Sequence, residues 1–158
     1  SFLGDPGLLA KEIIKPRNNN EINKNRFSIG VIPHFIDYDK VNKLIGNDSS
    51  IKIIDIKNDF KTVCRSILEC DVILSSSLHG LIFSDAMNVP NVWVKFGNNI
   101  IGSDFKFMDY YSVMDNPKYS AFECSKVEDF KGIVKFAIVS ENNNYNKMKL
   151  AIDKNIGM

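Results

Sequence analysis

Two kinds of apolar run alternate along the chain. Residues 27–32, 51–56, 71–74 and 91–96 are short and mainly apolar without strict alternation, the mark of strands buried on both faces. Between them apolar residues recur at helical spacing. Val41, Leu44 and Ile45 share one face of a stretch over about 38–45, and Phe60, Val63, Cys64, Ile67 and Leu68 share one in the next. Leu81, Ile82, Phe83, Ala86 and Met87 predict a helix apolar nearly all round, hence a buried one. Val127, Phe130, Ile133, Val134 and Ala137 mark a further helix, and a last amphipathic one spans about 145–156.

Stop and start signals punctuate the same pattern. Asp5-Pro6 is a helix opening, with Asp as cap and Pro in the first turn, and Lys15-Pro16 closes that segment. Residues 17–25 hold five Asn and few apolar side chains, which predicts an exposed loop or linker. Gly46 ends the second helix, Asn58 is placed to cap the third, and Ser125-Lys126-Val127-Glu128 has the form of a capping box.

Helices alternating with strands apolar on both faces predict an α/β fold, a Rossmann-like parallel sheet with helices on both faces. We read residues 1–158 as one such domain: a leading helix and Asn-rich loop over 1–26, a core over 27–111, and C-terminal helices over 112–158. Strand order does not follow from the pattern.

Composition narrows the function classes. The 158 residues are 44% hydrophobic and 25% charged, as in a globular domain. Lys and Arg total 20 against 19 Asp and Glu, so the broad basic surface of a nucleic-acid binder is not expected. Cys64, Cys70 and Cys124 form no C-x-x-C pair and read as buried free thiols in a reducing, cytoplasmic setting. No apolar run has the length of a membrane span or the layout of a signal peptide. A chain starting at Ser1 is consistent with a processed or partial protein.

Ligands of open α/β sheets bind beyond the carboxyl ends of the strands. Both histidines of the chain follow predicted strands there: His34 after 27–32 and His79 after 71–74. Ser75-Ser76-Ser77-Leu78-His79-Gly80 leads from strand into buried helix, where free N–H groups and the helix dipole favour an anion. Gly80 allows a ligand or a neighbouring backbone to come close. The alternative is that the serines only cap the helix. Lys95 ends the next strand, and Lys106 lies in the aromatic stretch 105–111; either could lend positive charge to this edge.

Several of these segments, in order, resemble the polysaccharide pyruvyl transferases. They are Gly4-Asp5-Pro6-Gly7-Leu8-Leu9, Ile29-Gly30-Val31-Ile32-Pro33-His34 and Ser75-Ser76-Ser77-Leu78-His79-Gly80-Leu81-Ile82. The run Asp85-Ala86-Met87-Asn88-Val89-Pro90-Asn91-Val92-Trp93 and the stretch 105–111 are similar too. Together they cover most of residues 4–111.

The resemblance implies transfer of the three-carbon unit of phosphoenolpyruvate to two hydroxyls of a sugar or lipid-linked oligosaccharide, giving a cyclic ketal and phosphate. It also implies a fold like the C-terminal half of a GT-B enzyme, completed by an N-terminal half or by another copy, with neither metal nor cofactor. His79 matches the histidine of the family's Leu-His motif, the implied general acid. An imidazole is suited to giving and retrieving a proton near neutrality. The 75–78 turn would hold phosphate or carboxylate through backbone N–H groups, and Asp5 and His34 fall in family motifs without an implied role. Many members carry Arg immediately before Leu-His, where this chain has Ser77. A serine cannot make the bidentate clamp of Arg, so Lys95, Lys106 or a residue outside this chain would have to supply that charge.

Two other readings stay open at this point. A GT-B glycosyltransferase would share the pattern of strand, turn and buried helix. It would usually place a ribose-binding carboxylate near the turn, and residues 75–83 hold none. A non-catalytic sugar- or phosphate-binding half-domain would fit the short chain and Ser77.

Overall fold

The computed structural model describes residues 4–18, 27–97, 104–142 and 144–156. Strands β1 (Phe27–Ile32), β2 (Ile51–Ile53), β3 (Cys70–Ser75), β4 (Asn91–Lys95) and β5 (Phe122–Glu123) form one all-parallel sheet in the order β2-β1-β3-β4-β5. Helices α1 (Tyr38–Ile45), α2 (Phe60–Leu68), α3 (Leu78–Ala86), α4 (Asp104–Tyr111), α5 (Val127–Ile133) and α6 (Tyr145–Ile156) surround it in a Rossmann-like arrangement. Among the described residues, no helix is long and apolar enough to cross a membrane.

Side chains of β1, β3 and β4 alternate between two apolar clusters, which is why these strands read as mainly apolar. Ile29, Val31, Leu74, Val92 and Val94 pack with Val41 and Ile45 of α1 and Phe130 of α5. Ile32, Ile73 and Trp93 pack instead with Val63 and Ile67 of α2, Leu81 and Ile82 of α3, and Phe107 and Tyr110 of α4. Cys64, Cys70 and Cys124 are buried free thiols, and burial pushes them up to about 11, 12 and 12 respectively.

Local chemistry moves several predicted boundaries. The first segment is a 3-10 helix, Pro6–Glu12, capped as expected by Asp5, whose Oδ1 accepts from Gly7 N at 2.7 Å. β2 stops at Ile53 rather than residue 56, because Asp55 turns the chain by accepting from Lys57 N at 2.9 Å. The cap of α2 is Asp59, not Asn58: its Oδ1 accepts from Thr62 N at 3.0 Å. At α5 the reciprocal carboxylate is Asp129, not Glu128, accepting from Ser125 N at 2.8 Å and Lys126 N at 3.1 Å. The Asn-rich stretch lies largely outside the described residues. Arg17, at its start, is no solvated loop residue: its guanidinium donates to the carbonyls of Leu68, Cys70 and Asp71 between α2 and β3.

Asp85, near the end of α3, ties together the sheet end remote from the predicted site. Its Oδ1 accepts from Asn91 Nδ2 at 2.8 Å and Ser140 N at 2.9 Å, and its Oδ2 from the Tyr110 hydroxyl at 2.8 Å. Burial raises the Asp85 carboxyl above its ordinary range, against the opposing pull of the Lys118 charge and these hydrogen bonds. A carboxyl raised on folding gives a contribution that is whole below the ordinary carboxylate pKa and declines as pH rises toward the folded value. Wild-type protein is therefore expected to lose stability relative to Asp85→Asn from about pH 4 upward, by at most about 1.4 kcal/mol per pH unit. Denaturant titrations at a series of pH values measure that difference.

Candidate active site

The strand order places the topological switch between β1 and β3. From β1 the chain moves outward to β2, then crosses back to β3 on the other side of β1. Connections therefore leave the carboxyl ends of β1 and β3 in opposite directions, opening a crevice between them. The two histidine-bearing turns are the turns that leave these two strands. His34 follows β1, and Ser76 to His79 follows β3.

These turns are joined by a hydrogen bond. His34 N donates to Ser76 Oγ at 2.8 Å, and Ser76 N donates back to Ile32 O at 3.1 Å. The His34 ring is oriented too, since Nδ1 accepts from Ile36 N at 3.3 Å. A backbone N–H can only donate, so Nδ1 carries a lone pair and, in the neutral ring, Nε2 carries the proton.

The three serines take three different roles. Ser75 is fully buried: its Oγ lies 2.9 Å from Ile32 O and 2.8 Å from Ser77 O, and accepts from Ser77 N at 3.0 Å. Its hydroxyl is thus engaged inside the protein and holds the turn in shape. Ser76 links to His34 and lines the crevice. Ser77 stands at the N-cap of α3, yet its side chain makes no capping hydrogen bond. The first N–H groups of α3 are left to a ligand or solvent, the condition for an anion site at a helix start.

Leu78, half-buried, seats the first turn of α3 on the core. One residue on, the His79 imidazole is exposed, with its ring 5.9 Å from that of Phe83. Gly80 does admit a close approach, but from within the chain. A Cβ there would stand 2.3 Å from Ser75 Oγ and 2.9 Å from Ile32 Cγ2.

Of the two predicted lysines, only Lys95 reaches the crevice, alongside Ser76, Trp93 and Phe107. It is already paired with Asp104, Nζ to Oδ2 at 2.8 Å, so an incoming anion would share it. Lys106 is exposed on α4 and does not line the crevice. Asp5 serves as a helix cap, and the 3-10 helix it caps packs on α3 through Gly7. The aromatic stretch is α4, and its Phe107 stacks on Trp93 at 4.5 Å to wall the crevice.

Asp37 was not singled out from the sequence, yet it lies in the same crevice. Only 4% exposed, it faces Ser76 and Lys95 across a space of about 20 Å³. Its place three residues beyond His34, at the same strand end, was a usable signal. A second, larger groove of about 700 Å³ adjoins the crevice at Phe96 and Gly97, and its lining includes Lys40, Val41, Leu44 and Cys124. None of the sequence-predicted residues lines that groove. Of the sequence-predicted residues only Ser76 and Lys95 line the narrow crevice, and neither histidine does; the groove offers room beside it.

Comparison with known proteins gives the same direction. An uncharacterized protein of Acanthamoeba polyphaga mimivirus is 33% identical over 141 residues, covering 85% of this chain and 48% of that protein. The chain thus spans about half the length of this relative. No solved structure matches the chain. The polysaccharide pyruvyl transferase family matches residues 1–98, which take in Asp5, both histidine turns and Lys95, while Lys106 and the rest of α4 lie beyond the match. Both turns of the crevice fall inside the matched span, and the chain belongs to the polysaccharide pyruvyl transferase family.

Proposed function

We propose that the chain takes part in ketal-pyruvyl transfer: phosphoenolpyruvate gives its three-carbon unit to two hydroxyls of a sugar, releasing phosphate, in the building of a surface polysaccharide. The observation that carries this reading is the joining of the His34 and His79 turns at the switch point. The free N–H groups opening α3, with Lys95 nearby, suit the phosphate and carboxylate of the donor. His79, exposed at that helix start, would protonate the methylene carbon, which makes the adjacent carbon open to attack by a hydroxyl. Ser77 brings no positive charge, so Lys95 takes over part of what Arg does in other members.

The groove beside Phe96 suits the acceptor sugar, whose reacting hydroxyls would point into the crevice. In this reading the sheet is one wall of a GT-B-like cleft, as its C-terminal half, and the facing wall comes from a further domain or a second copy. The reaction runs on the protein's own side chains and asks for no metal or cofactor. The intact protein, given phosphoenolpyruvate and a panel of glycosides, is expected to yield an acceptor heavier by one pyruvate less one water, read by mass spectrometry. Turnover of a nucleotide sugar in its place would move the chain to the glycosyltransferases.

A further inference from the structure

Asp37 occupies the N-cap position of α1, where a carboxylate ordinarily accepts from the first free N–H groups of the helix. It does not do so. Its side chain makes no capping hydrogen bond, and its backbone at φ −91° and ψ −1° is helical rather than extended. Among the described residues the carboxylate has no hydrogen-bond partner. The residue is only 4% exposed, yet its oxygens are not among the fully buried unpartnered atoms, and Asp37 lines the crevice. A carboxylate left out of the protein's own hydrogen bonding at the edge of a crevice is available to a ligand.

What faces Asp37 is polar on one side and aromatic on the other. Ser76 Oγ accepts from His34 N, which leaves the Ser76 hydroxyl proton free to point toward a ligand. Lys95 lies across the crevice, and Trp93 stacked on Phe107 closes its wall. The space of about 20 Å³ holds a single water-sized group. A sugar hydroxyl reaching in from the adjoining groove has that size.

We propose that Asp37 is the general base that takes the proton of the attacking acceptor hydroxyl in the crevice it shares with Ser76 and Lys95. This rests on the pyruvyl-transfer reading above, and its proton balance closes. In the first half, the first hydroxyl oxygen bonds to C2 of phosphoenolpyruvate and its proton passes to Asp37. The π electrons of the enol meanwhile take a proton from His79 at C3. In the second half, the C2–O bond to phosphate breaks and the departing oxygen receives the proton held by Asp37. The second hydroxyl then bonds to C2 and returns a proton to His79. Both side chains end as they began, nothing is oxidised, and phosphate leaves carrying one proton.

Asp37→Asn keeps the shape of the side chain and removes the base, so it tests the assignment in the intact protein. The expected result is a fall in kcat of about 10²–10⁴-fold with the KM for phosphoenolpyruvate little changed. Because the carboxylate makes no bond to the protein, the melting temperature should stay within a few degrees. In Asp37→Gly, added formate should restore part of the rate, since a small carboxylate can enter the vacated space. Formate rescue is a readout that a merely structural role would not give. Ketal formation by wild-type protein is measured first, so failure of the pyruvyl-transfer reading shows there, before any variant. If the wild type is active and Asp37→Asn keeps its kcat, or Asp37→Gly gains nothing from formate, the base assignment is overturned.

Discussion

With His79 as the proposed general acid, His79→Ala is expected to lower the acceptor-dependent release of phosphate by about 10²–10⁴-fold. Protonation of the enol methylene is the step that makes C2 electrophilic, so its loss appears in kcat rather than in donor binding. The side chain is exposed and, among the described residues, its ring contact is Phe83 at 5.9 Å, so removing it leaves the core untouched. Stability should move by no more than about 0.5 kcal/mol, as for other exposed positions. Steady-state kinetics with a thermal melt on the same preparation separates the two effects. A near-normal rate would place the acid elsewhere, with His34 the next candidate because its Nε2 carries the proton in the neutral ring.

Gly80→Ala is the second large effect, and it acts on the shape of the site rather than its chemistry. The new Cβ would stand 2.3 Å from Ser75 Oγ and 2.9 Å from Ile32 Cγ2, too close for either to remain in place. Ser75 cannot yield freely, because its hydroxyl ties β1, the turn and the α3 N-cap together. Overpacking costs about 1–3 kcal/mol and the lost hydrogen bond about 1, while the better helix propensity of Ala returns nearly 1. A net loss of about 2 kcal/mol is expected, together with reduced activity as the Ser76–His79 turn shifts. In Ser75→Ala/Gly80→Ala the closest clash is gone, so the double variant should be more stable than the sum of the singles predicts. Denaturant melts of the three variants measure this. Strict additivity would mean that Ser75 does not fill the space over Gly80.

Much of this was legible in the residues before the fold was known, for a physical reason. Period and punctuation are local, so β1, α1 and α6 fall at the residues where apolar spacing and Gly46 put them. Caps were harder, because Asp59 competes with Asn58, and Asp129 with Glu128, for the same few N–H groups. α4 and β5 were not assigned at all. The α4 stretch is aromatic on several sides, and β5 has only the two residues Phe122 and Glu123, both exposed. Neither leaves a periodic signal.

The candidate site divides in the same way. His34, His79 and the serines could be found because each follows a strand in sequence. Their joining could not, since it depends on β1 and β3 being neighbours, and strand order is a property of the whole sheet. Asp37 becomes significant only when β4 brings Lys95 and Trp93 to face it. For the same reason the sequence offered Ser75 as a ligand contact, whereas packing against Gly80 turns its hydroxyl inward.

The most direct measurement of the central claim is phosphate release from phosphoenolpyruvate by the intact protein, with and without a glycoside acceptor, beside His79→Ala. Release that requires the acceptor and disappears with His79 is the predicted result. Release that continues without an acceptor, or that His79→Ala leaves unchanged, would contradict it.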